Sequence, residues 1–156
     1  MLAIVLMGSP SDEDFAGKIT DALESYGIPW EARIASAHKT PQYLLDALTR
    51  YEADPQPKVY ITVAGRSNAL SGMVDAAVVA PVIACPPYSD KFGGADIYSS
   101  MRTPSGVAPA VVLEPKNAAL LAAKILSLAD AAVAERIREA QAKQRRRLYD
   151  ADQSER

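Results

Sequence analysis

Histidine and cysteine each occur once in 156 residues, and that scarcity excludes whole classes of chemistry. A single cysteine forms no internal disulfide, and one cysteine with one histidine supplies no ligand cluster of the usual zinc type, so no metal is expected. The cysteine, Cys85, closes the apolar run Pro81-Val82-Ile83-Ala84-Cys85 and reads as a small buried hydrophobe in a reducing compartment. Charge of one sign is also missing. The 17 Lys and Arg against 19 Asp and Glu give a formal charge of -2, no field for gripping a nucleic-acid backbone, and no polyanion partner is expected. No stretch reaches the roughly 18 apolar residues of a membrane span, so no membrane partner is expected. The chain opens on an apolar strand rather than a charged leader, and a cytoplasmic protein is the expectation.

What is present is ordinary globular material, 49% hydrophobic and 23% charged, in a length that suits one domain. Leu2 to Met7 is a continuous apolar run with β-branched members ended by Gly8, the pattern of a central strand buried on both faces. Phe15, Ile19, Ala22, Leu23 and Tyr26 then recur at helical spacing, with Gly27 as a C-terminal cap. Trp30 to Ala35 reads as a second strand, Gln42 to Glu52 as an amphipathic helix and Val59 to Ala64 as a third strand. Ala69 to Val79 suits a buried helix, Val82 to Cys85 a fourth strand and Ala110 to Leu113 a fifth, with a short helix near Asp96 to Met101 between the last two. Asn117 is placed to cap an almost wholly apolar helix through Leu128. From Asp130 to Leu148 the pattern is one more, increasingly charged helix; Arg145-Arg146-Arg147 reads as its solvated end, and Asp150 to Arg156 as a fraying tail.

The alternation βαβαβ predicts an α/β fold: a single three-layer, doubly wound (flavodoxin-like) parallel sheet with a C-terminal helical extension. One domain accounts for residues 1–156, with a core over about 2–128 and the final helix over about 130–148. A helix without a polar face needs cover on both sides, which predicts self-association through the apolar helix and the one after it.

In such a sheet ligands sit outside the carboxyl ends of the strands. Three strand-to-helix loops meet that description. Gly8-Ser9-Pro10-Ser11-Asp12 brings backbone N–H groups, hydroxyls and a helix N-terminus together, an anion site in which Asp12 suits ribose hydroxyls. It is neither a Walker loop nor a GxGxxG fingerprint, and plain helix capping by Ser11 or Asp12 is the plainer reading of part of it. The second loop, Ser36-Ala37-His38-Lys39-Thr40-Pro41, holds the only histidine, the one side chain that exchanges protons near neutral pH without perturbation. The third, Ala64-Gly65-Arg66-Ser67-Asn68-Ala69-Leu70-Ser71-Gly72-Met73, adds small and hydrogen-bonding residues, and glycine there lets a flat ligand approach the backbone.

In order and spacing these three loops resemble those of the carboxylase and mutase enzymes that act on aminoimidazole ribonucleotide in purine biosynthesis, over Leu2 to about Val133. In the mutase branch an arginine typically follows the first histidine and a second histidine lies in the third loop; here those positions are Lys39 and Ala69. Arg66-Ser67-Asn68, Ala84-Cys85-Pro86-Pro87 and the stretch from Asp96 to Gly106 are similar to the class II carboxylases, which take carbon dioxide directly. The resemblance implies that Ser9, Asp12, Ser36, Lys39, Gly65 and Ser67 contact the ribonucleotide, with Ser11, Asn68, Ser71 and Gly72 close by. It also implies that His38 transfers the proton at the reacting carbon, that Lys39 holds phosphate or carboxylate, that no cofactor is used, and that the chain forms a homo-octamer. Two readings from other classes stand beside it: a mononucleotide-binding flavodoxin-like module, against which the lack of Trp or Tyr in the third loop argues, and a helix-mediated scaffold subunit.

Overall fold

Apolar runs buried on both faces become the centre of a five-stranded parallel sheet. The computed structural model of the protein describes residues 1–154, without the side chain of Phe92. Strands β1 (Leu2–Met7), β2 (Trp30–Ile34), β3 (Lys58–Val63), β4 (Val82–Ala84) and β5 (Ala110–Val111) stand in the order β2-β1-β3-β4-β5. All four pairings are parallel, with Val5 opposite Ala32 on one side and Ile61 on the other. The chain reverses direction across the sheet between β1 and β3, which is where such folds open a crevice.

Helices α1 (Glu13–Ser25), α2 (Pro41–Glu52), α3 (Ala69–Ala77), α4 (Tyr98–Met101), α5 (Pro115–Leu126) and α6 (Ala131–Ser154) complete the chain. Side chains alternate across a strand, so β1 feeds two cores. Ala3, Val5 and Met7 meet α1, α5 and the start of α6 through Ile19, Leu23, Ala122 and Val133. Ile4 and Leu6 meet α2 and α3 through Leu44, Leu48, Leu70 and Val74. The three layers expected of a doubly wound sheet are therefore present.

Several boundaries differ from the expectation for local reasons. Helix α5 begins at Pro115 rather than at an Asn117 cap: proline suits the first helical position and holds Glu114 before it in extended backbone. Helix α3 stops at Ala77 because Val78 is extended, and Val79 is almost fully exposed. The stretch before α4 is a 3-10 segment, Lys91–Ile97, in which Gly93 and Gly94 take φ of 61° and 76°, outside the α-helical range. Helix α6 extends past Leu148 to Ser154, and Glu155 and Arg156, the end of the expected fraying tail, lie outside the described residues. Its start is capped by Asp130 Oδ1, which accepts the amides of Ala132 and Val133 at 2.8 and 3.3 Å. Its far end carries an Arg146–Asp150 pair at 3.7 Å, one turn apart, so the arginine run lies inside the helix. Much of α5 is covered within the chain, by the sheet, α1 and α6, with Leu120, Leu121 and Ile125 partly buried. Helix α6 is largely uncovered, with only Val133 and Ile137 buried.

Cys85 is fully buried, as its apolar run predicts, and burial together with the Glu114 charge pushes its thiol up to about 12. Thiolate is the reactive species, so Cys85 is expected to resist alkylation at neutral pH and to react once denaturant is added. Labelling of the native protein at the rate of a free thiol would contradict this.

Candidate active site

The carboxyl ends of β1, β2 and β3 carry three loops, and these loops wall a cavity of about 490 Å³ beside the β1/β3 reversal. Ser9, Ser11 and Asp12 line it from the first loop, Ser36, His38 and Lys39 from the second, Gly65 and Ser67 from the third.

The first loop folds as a 3-10 turn, Pro10–Asp12, leading into α1. Its cap is Ser9, not Ser11 or Asp12: Ser9 Oγ accepts the Ser11 amide at 3.3 Å and the Ser11 hydroxyl at 2.9 Å. Asp12 occupies the N-cap position of α1 without making a side-chain cap bond, and it lines the cavity. Burial raises the Asp12 pKa above its ordinary value, against the pull of the Ser9 and Gly8 backbones and the Arg66 charge.

The second loop is closed on itself. Thr40 Oγ1 accepts the Ser36 amide at 3.0 Å, the Thr40 amide donates to the Ser36 carbonyl at 2.9 Å, and Ser36 Oγ accepts the Lys39 amide at 3.2 Å. Thr40 thereby ties the loop instead of capping α2, which starts on Pro41. His38 and Lys39 ride on this clasp with exposed side chains.

In the third loop Arg66 has φ of 58°, and among the described residues it is the one non-glycine residue with positive φ. Such a backbone costs a residue of this kind about 1–3 kcal/mol and persists only where its surroundings impose it.

The remaining expected site residues lie apart. Asn68 and Ser71 are buried and bonded to each other: Asn68 Oδ1 accepts the Ser71 amide at 3.1 Å and its hydroxyl at 3.0 Å, capping α3. Asn68 Nδ2 also donates to Ser100 Oγ at 2.9 Å, and Ser71 Oγ lies 2.7 Å from Thr62 Oγ1. Together with Gly72 they border a second cavity of about 260 Å³, towards Arg102, Thr103 and Val107. Conversely, Pro87, Tyr88, Ser89, Lys91 and Asp96 line the main cavity without having been singled out for it. Pro86-Pro87 after β4 was the available signal, since β4 ends at the same sheet edge.

A doubly wound α/β protein with a polar pocket at its topological reversal, lined by the chain's one histidine, is the class this geometry defines. The family model described as AIR carboxylase matches residues 2–147, and the chain belongs to that family. A phosphoribosylaminoimidazole carboxylase of Treponema denticola is 58% identical over 137 residues, spanning 88% of this chain and 86% of the relative. One from Archaeoglobus fulgidus is 56% identical over 153 residues, spanning 98% and 84%. The crystal structure of Treponema denticola PurE matches with a TM-score of 0.96 at 53% identity, covering 98% of this chain and 97% of that one.

Proposed function

We propose that this enzyme carboxylates 5-aminoimidazole ribonucleotide with carbon dioxide, reversibly, to 4-carboxy-5-aminoimidazole ribonucleotide in purine biosynthesis. One observation carries the reading: in a chain of the AIR carboxylase family, three loop ends and the only histidine share one cavity. The substrate's amino group makes the adjacent ring carbon enamine-like. That carbon attacks carbon dioxide, a carbon–carbon bond forms, and one C=O electron pair moves onto oxygen as carboxylate. The ring carbon still holds its proton, which passes to His38 as aromaticity returns. No biotin, ATP or metal is called for.

In this reading Ser9 and Ser11 hold the phosphate with the amides of the first turn, Asp12 takes the ribose hydroxyls, and Ser36, Gly65 and Ser67 frame the base. Lys39 holds phosphate or carboxylate. Asn68, Ser71 and Gly72 act from behind the third loop. Lys39 in place of the mutase arginine and Ala69 in place of the second histidine support carbon dioxide as the donor. The test is product formation from aminoimidazole ribonucleotide as dissolved carbon dioxide is varied. No carboxylated product at saturating carbon dioxide overturns the proposal.

Asp12→Ala is expected to weaken ribonucleotide binding roughly 10- to 100-fold, the scale of hydrogen bonds to a charged group, and to slow turnover less. Because the Asp12 pKa is raised, wild-type affinity should fall on acidification at a higher pH than an ordinary carboxylate would give, and Asp12→Asn should lack that limb. Binding titrations across pH check both, and unchanged affinity in Asp12→Ala removes the ribose assignment.

The family resemblance implies self-association as a cytoplasmic homo-octamer, and the largely exposed α6 leaves a surface on which subunits can meet. Light scattering is expected to give a mass well above the 16.7 kDa of one chain, and a monomeric mass would contradict it.

A further inference from the structure

We infer that Asp96 and Ser99 are positioning residues of the ribonucleotide site, acting through the backbone of Arg66. The inference rests on the proposed reading only in taking the third loop to touch the ligand.

Arginine has no short polar side chain to stabilise a left-handed backbone locally, as asparagine or aspartate can, and it bears a Cβ that glycine would spare. At Arg66 the conformation is imposed from a segment thirty residues away. The Arg66 amide donates to Asp96 Oδ2 at 3.2 Å, and Ser99 Oγ donates to the Arg66 carbonyl at 2.8 Å. Ser99 Oγ also lies 2.8 Å from the Asp96 carbonyl and accepts the Asn68 amide at 3.0 Å. Both backbone polar groups of Arg66 are thus held by the turn into α4, and the residue that caps α3 is held by the same hydroxyl.

The consequence falls on the cavity. Gly65, Arg66 and Ser67 all line it, and a return of Arg66 to negative φ would rotate the peptide groups on either side of it. The guanidinium would leave its place near Asp12, whose charge it now favours. The sequence distance hides the link between the two segments: nothing local in Gly65-Arg66-Ser67 specifies a left-handed residue.

Asp96→Ala, Asp96→Asn and Ser99→Ala separate the possibilities. In Asp96→Ala the Michaelis constant for the ribonucleotide should rise by about tenfold or more with a smaller change in kcat, since orientation of a binding loop is lost. Asp96→Asn keeps an oxygen that accepts the Arg66 amide and should stay within about threefold of wild type. Ser99→Ala should follow Asp96→Ala. Hydrogen exchange of the Arg66 and Asn68 amides in the ligand-free protein should accelerate where the respective acceptor is removed, at Arg66 in Asp96→Ala and at Asn68 in Ser99→Ala, and not in Asp96→Asn. That arm reads the positioning even if wild type fails to carboxylate aminoimidazole ribonucleotide, which would instead count against the functional reading. Unchanged exchange and unchanged Michaelis constant in Asp96→Ala overturn the inference. So does an Asp96→Asn variant as impaired as Asp96→Ala with wild-type exchange, which would assign the carboxylate charge to the ligand itself.

Discussion

His38→Asn is expected to fold, to bind the ribonucleotide, and to lose carboxylation and decarboxylation together by about 10²–10⁴-fold, the usual contribution of a positioned proton-transfer group. The fold should survive because the ring is exposed and bonded to no described residue, so the substitution breaks nothing internal. Binding should survive because the Ser36–Thr40 clasp is built from main chain and hydroxyls, and asparagine on it is only slightly smaller than histidine. The chemistry should not survive, because asparagine offers no basic nitrogen and the chain has no second histidine to substitute. Steady-state rates in both directions, paired with a ligand-binding titration, check the three parts separately. Activity within a few-fold of wild type removes His38 from the proton step.

The second large effect concerns the carbon donor. In the mutase branch the carboxyl group arrives on the substrate's own amino nitrogen, is released in the pocket and is recaptured at the ring carbon. By the resemblance, that route uses a second histidine in the third loop, and the position here is Ala69, which offers no hydrogen bond. Ala69 also borders the smaller cavity behind the loop and not the one that holds His38. Arg66 and Ser67 line the main cavity instead, where they can donate to developing carboxylate charge. The N-carboxylated isomer offered alone, with released carbon dioxide removed, is therefore expected to give no product above background. Aminoimidazole ribonucleotide with dissolved carbon dioxide should turn over. Consumption of the isomer faster than its spontaneous breakdown would restore the mutase reading.

The elements most legible in the sequence are those whose pattern has one physical meaning. Leu2 to Met7 is a short apolar run without alternation, with β-branched members and closed by Gly8, and Val59 to Val63 is nearly so, as strands covered on both faces require. The three loop ends followed directly, because strand order and parallel sense put them on one edge. Less legible was what each polar side chain does once there. Asn68 and Ser71 have the chemistry of ligand contacts, but in the fold they close hydrogen bonds with each other, Ser100 and Thr62. Serine and asparagine serve capping and binding equally well, and only three-dimensional partners separate the two. Beyond the Pro86-Pro87 signal, the contribution of Tyr88, Ser89, Lys91 and Asp96 was illegible for another reason: it depends on how a glycine-containing 3-10 segment folds back, which no periodicity records.

Strand β2 has a further consequence, for the solubility of newly made chains. It is the outer strand of the sheet beside β1, and every one of its five residues is exposed. An open strand edge is a template on which another copy can add by backbone pairing, the first step of aggregation. Here the centre of that edge carries Glu31 and Arg33, which pair at 3.1 Å, and Tyr51 of α2 donates to Glu31 at 2.6 Å while its ring lies beneath the Arg33 guanidinium. A second chain zipping onto β2 would have to pass this anchored charge cluster and strip water from it. The same three residues thus put anchored charge where an incoming strand would have to pair, one of the features by which exposed sheet edges are kept from joining.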